Sequence, residues 1–509
     1  MLFRLARASA RLTSFNRLPL VRAISTTPIM ATSRTSVIPQ AERMFDGGTH
    51  KLDVWTIFTP ANVPADCINL GQGFMNWAPA EWIRKAAHKA MDEDIMVNHY
   101  AHPRGRPRLV KAISDVYSPT FPNLEGRKLR TEEIVVTAGA NGGMYAALTA
   151  HLEPGDEVVL IEPFFDQYFA TIGFQGAKPV YVPLHPPKEG GGKSSGADWT
   201  LDLAELEAAF TPKTKAIIVN TPHNPVGKVF TQEELEGIAK ICIKHNVLVI
   251  ADEVYDCMIY DGKKHFHIAS LPGMWERTLS VFSGGKSFAA TGWRVGWLVG
   301  PEALVSATLA AQSRIVFCTN GPMQEAIAIA LEGAAERKFF ETQVAEYQER
   351  RDILCSYFDQ LGLPYTLPEG SYFVLVDMSR LKIPVDYPIP ETCKGRGKDF
   401  AKCWWMANEI KVVSIPPSEF YCEDHVAIGE NFARYVSSLT AFADRQLRVL
   451  QGPRAPPCCG QAPSRAQALP PVDAVSEMGC LGNVVQEWGC HLADCDYEKD
   501  ISALLSCMI

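Results

Sequence analysis

Between about residues 85 and 321, short apolar runs rich in valine and isoleucine alternate with stretches of helical periodicity. Residues 133–137, 157–161, 179–183, 216–220, 247–251, 278–282 and 295–299 read as strands. Most are continuous apolar runs and not alternating ones, the pattern of strands buried on both faces. Helical segments lie between them, such as 142–151 and 231–245, and the latter opens with Thr231 and Glu234 spaced as a capping box. This dictates an α/β domain with a mostly parallel seven-stranded sheet flanked by helices. In such a fold, ligands collect at the carboxyl ends of the strands.

Four predicted strand ends carry chemistry. After 278–282 comes Ser283-Gly284-Gly285-Lys286-Ser287, with Arg294 following. A lysine in a small-residue turn is either a solvated loop cation or an amine given room to reach a reactive carbonyl as a Schiff base. Strand 216–220 stops in Asn220-Thr221-Pro222-His223-Asn224-Pro225, a turn that presents Asn224 or is merely a turn. Strand 247–251 ends at Asp252-Glu253-Val254-Tyr255. An acid at the end of a buried strand needs a cation or a capping role. Strand 133–137 runs into Ala138-Gly139-Ala140-Asn141-Gly142-Gly143, whose free amides suit a phosphate. Taken together, these ends ask for an aldehyde opposite a lysine, a cationic ring opposite an aspartate and an anion in a cradle. Pyridoxal 5′-phosphate meets all three demands.

The same residues carry a family resemblance. Asn69-Leu70-Gly71-Gln72-Gly73-Phe74, Glu162-Pro163-Phe164-Phe165-Asp166, the Asn220 and Asp252 motifs, 270–277 and the Lys286 stretch occur in order across about residues 42–435. In them the chain resembles a class I aminotransferase of PLP fold type I, within the kynurenine aminotransferase and cysteine-S-conjugate β-lyase group. The resemblance implies Lys286 as the Schiff-base lysine and proton shuttle, with Asp252 paired to the pyridinium. It implies Asn224 and Tyr255 on the ring's phenolic oxygen and Phe165 stacked on the ring. Gly139, Ala140, Asn141, Ser283 and Arg294 would hold the phosphate. Tyr100 would reach the cofactor of a neighbouring subunit, which implies a homodimer with shared sites. Arg434 would clamp the substrate α-carboxylate, since its planar fork matches that group, and Gly73 would set a backbone amide beside it. Trp55 and Tyr168 are candidates for an aromatic side-chain pocket or for core. No second arginine for a dicarboxylate is evident, so a broad, partly aromatic amino-acid range is expected. The reactions implied are transamination of L-kynurenine with a 2-oxo acid to give kynurenate, or β-elimination from cysteine conjugates.

Around this domain, residues 41–80 are expected to pack with a smaller α+β unit at 322–450, entered by a long helical region over 323–361 and a strand over 370–376. Residues 183–198, rich in Pro, Gly, Ser and Lys, read as a surface loop. The first 41 residues hold Arg4, Arg7, Arg11, Arg17, Arg22 and Arg34 but no acid, the pattern of a mitochondrial presequence over about 1–30. Matrix localisation is therefore expected, with a possible cytosolic form starting at Met30. A net charge of −8 without one-sign runs argues against a nucleic-acid partner, and no apolar stretch is long enough to span a bilayer. The eight cysteines before residue 450 sit scattered in apolar contexts, reading as reduced thiols, and no metal site is expected. After Tyr435 the texture changes, and 453–509 reads as an atypical, disordered tail. This reflects either an altered reading frame or a genuine extension, and a third functional reading is a PLP-fold protein impaired by it.

Overall fold

The computed structural model describes residue 38, residues 53–187 and residues 193–437. The presequence, the residues starting at Met30 up to 37, and the tail at 453–509 lie outside the described residues.

All seven predicted strands form. We label the strands of the large sheet β1 (Ile134–Thr137), β2 (Glu157–Glu162), β3 (Lys178–His185), β4 (Thr200–Leu201), β5 (Thr214–Asn220), β6 (Leu248–Asp252), β7 (Thr278–Ser283) and β8 (Gly296–Val299). The sheet thus has an eighth, two-residue edge strand, β4, too short to leave a periodic signal. Its order is β1-β8-β7-β6-β5-β2-β3-β4. Pairing is parallel from β7 through β3, while β8 runs antiparallel to both its neighbours and β4 antiparallel to β3. Because β8 is reversed, its first residue, and not its last, shares an edge with the carboxyl ends of β1, β5, β6 and β7. Gly296 pairs with both Thr137 and Ser283. A side chain at Gly296 would stand 2.7 Å from the Ala140 nitrogen and 2.8 Å from the Phe282 carbonyl, so glycine lets β8 cross here.

The helices follow local chemistry. Gln232–His245 starts where the Thr231 hydroxyl accepts from the Glu234 amide and the Glu234 carboxylate accepts from the Thr231 amide. It ends at Asn246 in the left-handed conformation. The predicted long helix over 323–361 is instead two, Gly321–Ala334 and Phe339–Gln360. Lys338 takes a left-handed conformation between them, and the turn brings Phe339 and Phe340 within 5.4 and 5.5 Å of the Phe288 ring. Burying that aromatic cluster outweighs the continuity that helical periodicity suggested.

A second sheet has the order Phe432–Val436, Phe373–Asp377, Tyr365–Leu367, Ser194–Ser195. The end of the predicted surface loop therefore serves as an edge strand, paired through Ser194 and Thr366. Ile68–Asn69 pairs with Val412–Val413. One apolar cluster joins Val54, Ile57, Phe58 and Leu70 to Tyr372, Phe373 and Val436, and also holds Tyr255 from the large sheet's edge. This core draws the N-terminal segment and the second sheet over the carboxyl ends of β5 to β7.

Candidate active site

Lys286 lies in a one-turn helix, Gly284–Ser287, that follows β7 directly, and the Ser283 hydroxyl caps it by accepting from the Lys286 amide at 3.3 Å. The amine is directed away from the sheet. Its Nζ donates to the Gly73 carbonyl and to the Tyr372 hydroxyl, each at 2.8 Å, and Tyr372 in turn donates to the same carbonyl at 2.8 Å. The ring centres of Tyr255 and Tyr372 lie 5.7 and 5.5 Å from Nζ. The lysine is thus a fixed cation between aromatic faces, not a solvated loop residue. Gly73 meets it through the carbonyl, a contact separate from the one expected of its amide with a substrate carboxylate.

Asp252, 4% exposed, ends β6. Burial pushes its pKa up to about 6, against the hydroxyl of Tyr168, which donates to Oδ2, and the Val254 amide, which donates to Oδ1. Tyr168 is buried, with its hydroxyl on this aspartate and its ring 5.7 Å from that of Phe165. Its hydroxyl serves Asp252, so the side-chain pocket expected of it is not its hydrogen-bonding role. On the other flank, Asn220 donates to the Asp252 carbonyl and accepts from the Asn224 amide at 2.7 Å, setting the turn that carries Asn224. Beneath lies Glu253, fully buried, with His267 Nδ1 at 2.9 Å and His265 Nε2 at 3.4 Å. Burial pushes its pKa up, but the two histidines outweigh that and hold it near 2. This neutralised pair makes it possible for two adjacent acids to sit in one buried strand end. Sequence reasoning did not single out the histidines, and the Asp-Glu doublet was their only signal.

The phosphate cradle predicted after β1 is present as geometry. The helix Gly139–His151 starts from Ala138, which offers no capping side chain, so the Gly139, Ala140 and Asn141 amides have no side-chain acceptor at the cap. Gly139 has φ +74°, and a Cβ there would stand 2.5 Å from Nη2 of Arg294. Arg294, itself left-handed and exposed, therefore lays its guanidinium against the bare glycine at the helix start. Amides, a helix N-terminus and a guanidinium converge, a constellation for a phosphate dianion. With the amine of Lys286 and the buried acid of Asp252 at neighbouring strand ends, these residues fit pyridoxal 5′-phosphate.

Arg434 comes from the second sheet, in register with Leu375, and is 1% exposed. It donates to the Gly71 carbonyl at 2.8 Å and to Asn224 Oδ1 at 3.3 Å, while its Nε has no partner. Ring centres of Phe373, Trp55 and Phe420 stand 4.6, 5.0 and 5.3 Å from its Cζ. Burial lowers its pKa to about 10. Trp55 also donates to Asp166 Oδ2 at 2.8 Å. Tyr100 is the one predicted residue the chain does not bring to this place. It is 84% exposed, edge-on to Phe317 at 5.1 Å. Tyr372 and Asp166 were missed as site residues, because each acts through a contact with a residue far away in sequence.

Comparison with known proteins places this geometry. The sequence model of the family "Aminotransferase class I and II" matches residues 65–434. A protein of Saccharomyces cerevisiae named "Probable kynurenine--oxoglutarate transaminase BNA3" is 46% identical over 421 residues, covering 80% of this chain and 93% of its own. The kynurenine–oxoglutarate transaminase of Dictyostelium discoideum is 42% identical over 393 residues, covering 75% and 89%. The crystal structure of Bna3p from Saccharomyces cerevisiae superposes with a TM-score of 0.76 at 44% identity, covering 81% of this chain and 99% of that one.

Proposed function

Because the chain belongs to the class I and II aminotransferases, we propose that it moves the α-amino group of L-kynurenine to a 2-oxo acid with bound pyridoxal 5′-phosphate, so that kynurenate forms. One observation carries the reading most: a fully buried guanidinium with an unpartnered Nε, walled by aromatic rings, in the same site as Lys286. Burying a charge is costly unless it is paired, and an amino-acid carboxylate supplies the pair. The aromatic walls suit a substrate with an aryl side chain.

Pyridoxal phosphate, when bound, supplies an aldehyde that takes up the amino group and a ring that accepts the electron pair left at Cα. The chain does the rest. Asp252 would hold a negative charge toward the ring nitrogen, and Tyr168 keeps that carboxylate oriented. Asn224 and Tyr255 would face the ring's oxygen, Phe165 its face, and Gly139, Ala140, Asn141, Ser283 and Arg294 would hold the phosphate. Arg434 fixes the substrate carboxylate, and the Lys286 amine takes and returns the Cα proton. The aryl amine of kynurenine then condenses with the new oxo group, whose oxygen leaves as water. Tyr100, exposed in one subunit, is proposed to complete the site of its partner in a homodimer. Residues 1–30 are proposed to direct the chain to mitochondria. No helix among the described residues is long and apolar enough to cross a membrane.

The test incubates purified protein with pyridoxal phosphate, kynurenine and 2-oxoglutarate, and measures kynurenate. Formation is expected, with loss of at least about a thousandfold in Lys286→Ala. Pyruvate release from a cysteine conjugate without kynurenate would replace the reading by β-elimination, which the comparisons do not favour. Undiminished transamination by Lys286→Ala would refute the lysine's role.

A further inference from the structure

Asp166 lies one residue past Phe165 and is 6% exposed. Its Oδ2 accepts from Trp55 Nε1 at 2.8 Å and from Gln167 Nε2 at 3.2 Å, while its Oδ1 is buried with no hydrogen-bond partner. The Trp55 ring that holds this carboxylate also lies against Arg434, and it stands 6.4 Å from the Phe420 ring. Arg434, although close by, directs its donors to Gly71 and Asn224. The site therefore contains two buried groups of opposite charge, each with one atom unused, both in contact with one indole. A buried acceptor without a donor is destabilising, and a ligand that brings the donor recovers that loss.

We propose that Asp166 receives an N–H donor carried on the side chain of the substrate, so that the site selects aromatic amino acids bearing such a donor over isosteres that lack it. With the α-carboxylate on Arg434, the aryl group lies among Trp55, Phe165 and Phe420, and the donor meets Oδ1. This gives the aromatic pocket a polar discriminator, and sites built to hydrogen-bond a ligand group reject analogues that lack it more strongly than apolar pockets reject an extra methylene. The assignment rests on the kynurenine reading for its choice of probes, since the ortho amine of kynurenine is such a donor.

The test uses binding, not turnover. The holoenzyme is titrated by calorimetry with 4-(2-aminophenyl)-4-oxobutanoate and with 4-phenyl-4-oxobutanoate, which lack the α-amino group and cannot be transaminated. The amino-bearing acid should bind roughly tenfold or more tightly. In Asp166→Asn, Trp55 Nε1–H pins the amide oxygen, so the NH2 takes the place of Oδ1 and faces the ligand's donor. The preference should fall to one or below. Equal binding to the wild-type protein, no binding of either acid, or a preference kept in Asp166→Asn overturns the proposal. The wild-type comparison stands even where the variant does not fold. Failure of kynurenine turnover, with the binding preference intact, removes the substrate assignment and leaves the subsite.

Discussion

Arg434 meets two opposed demands. Its burial without a carboxylate destabilises the fold, and the same burial makes it a strong receptor for one. Arg434→Met should therefore leave the melting temperature of the ligand-free protein equal or higher, while raising KM for the amino acid at least about a hundredfold. Arg434→Lys keeps charge but loses the fork, and should raise KM by about tenfold or more. Asp252 is opposed in the same way. Its carboxyl titrates near 6 in the fold, above the ordinary 3.8, so the folded protein binds the extra proton between those values. Its contribution to stability is accordingly undiminished below about pH 4 and is lost as pH rises through 6. Asp252→Asn, free of that loss, should be as stable as the cofactor-free wild type near pH 4 and more stable by about 3 kcal/mol at pH 7.5. Denaturant melts across that range check the sign. A gap that widens toward acid would contradict the burial argument. The variant should lose about a hundredfold or more in turnover, since it no longer presents a charge to the ring.

At the scale of elements, the phosphate cradle depends on one bare residue at the start of a helix. Gly139→Ala meets both a positive φ and the Arg294 guanidinium, whereas Gly126, with φ +82° and nothing within 4 Å of an added Cβ, meets the conformational term alone. Both alanine variants should lose about 1 kcal/mol of stability. Only Gly139→Ala should also weaken pyridoxal phosphate binding, by about tenfold, as read by cofactor titration. Equal cofactor affinity in the two would place the phosphate elsewhere. The elements themselves were largely legible in the sequence. β5 and β6 carry continuous apolar runs because both faces are covered, β7 is interrupted only by the buried Ser280, and chemistry-bearing residues stand out where such runs stop. The break at Lys338 was not legible, since it follows from where Phe339 and Phe340 must pack. Arg434 was reached through family resemblance, as nothing in Asn431-Phe432-Ala433-Arg434 marks a binding residue. The bond from Lys286 to Tyr372, and the Trp55–Asp166 bond, join residues 86 and 111 positions apart, distances at which no local pattern operates.

For the whole molecule, the proposed dimer makes a prediction that single substitutions cannot. If Tyr100 serves the partner's site, a Tyr100→Phe subunit and a Lys286→Ala subunit place both lesions in the same site of a mixed dimer. One of its two sites then has both residues intact. Mixing and refolding the two weakly active variants should restore activity toward half that of wild type per mixed dimer. No recovery above the sum of the variants would place Tyr100 outside the partner's site. The first sheet, the second sheet and the N-terminal segment converge on Lys286 from different parts of the chain, through β7, Tyr372 and Gly73. The account as a whole therefore turns on that lysine. The measurement that tests it most directly is borohydride reduction of the protein after incubation with pyridoxal phosphate, followed by digestion and mass mapping of the pyridoxyl group. The account predicts one modified peptide, labelled at Lys286, and no such label once kynurenine has been added in excess without an oxo acid. Stable label on another lysine, or none on Lys286, would contradict it.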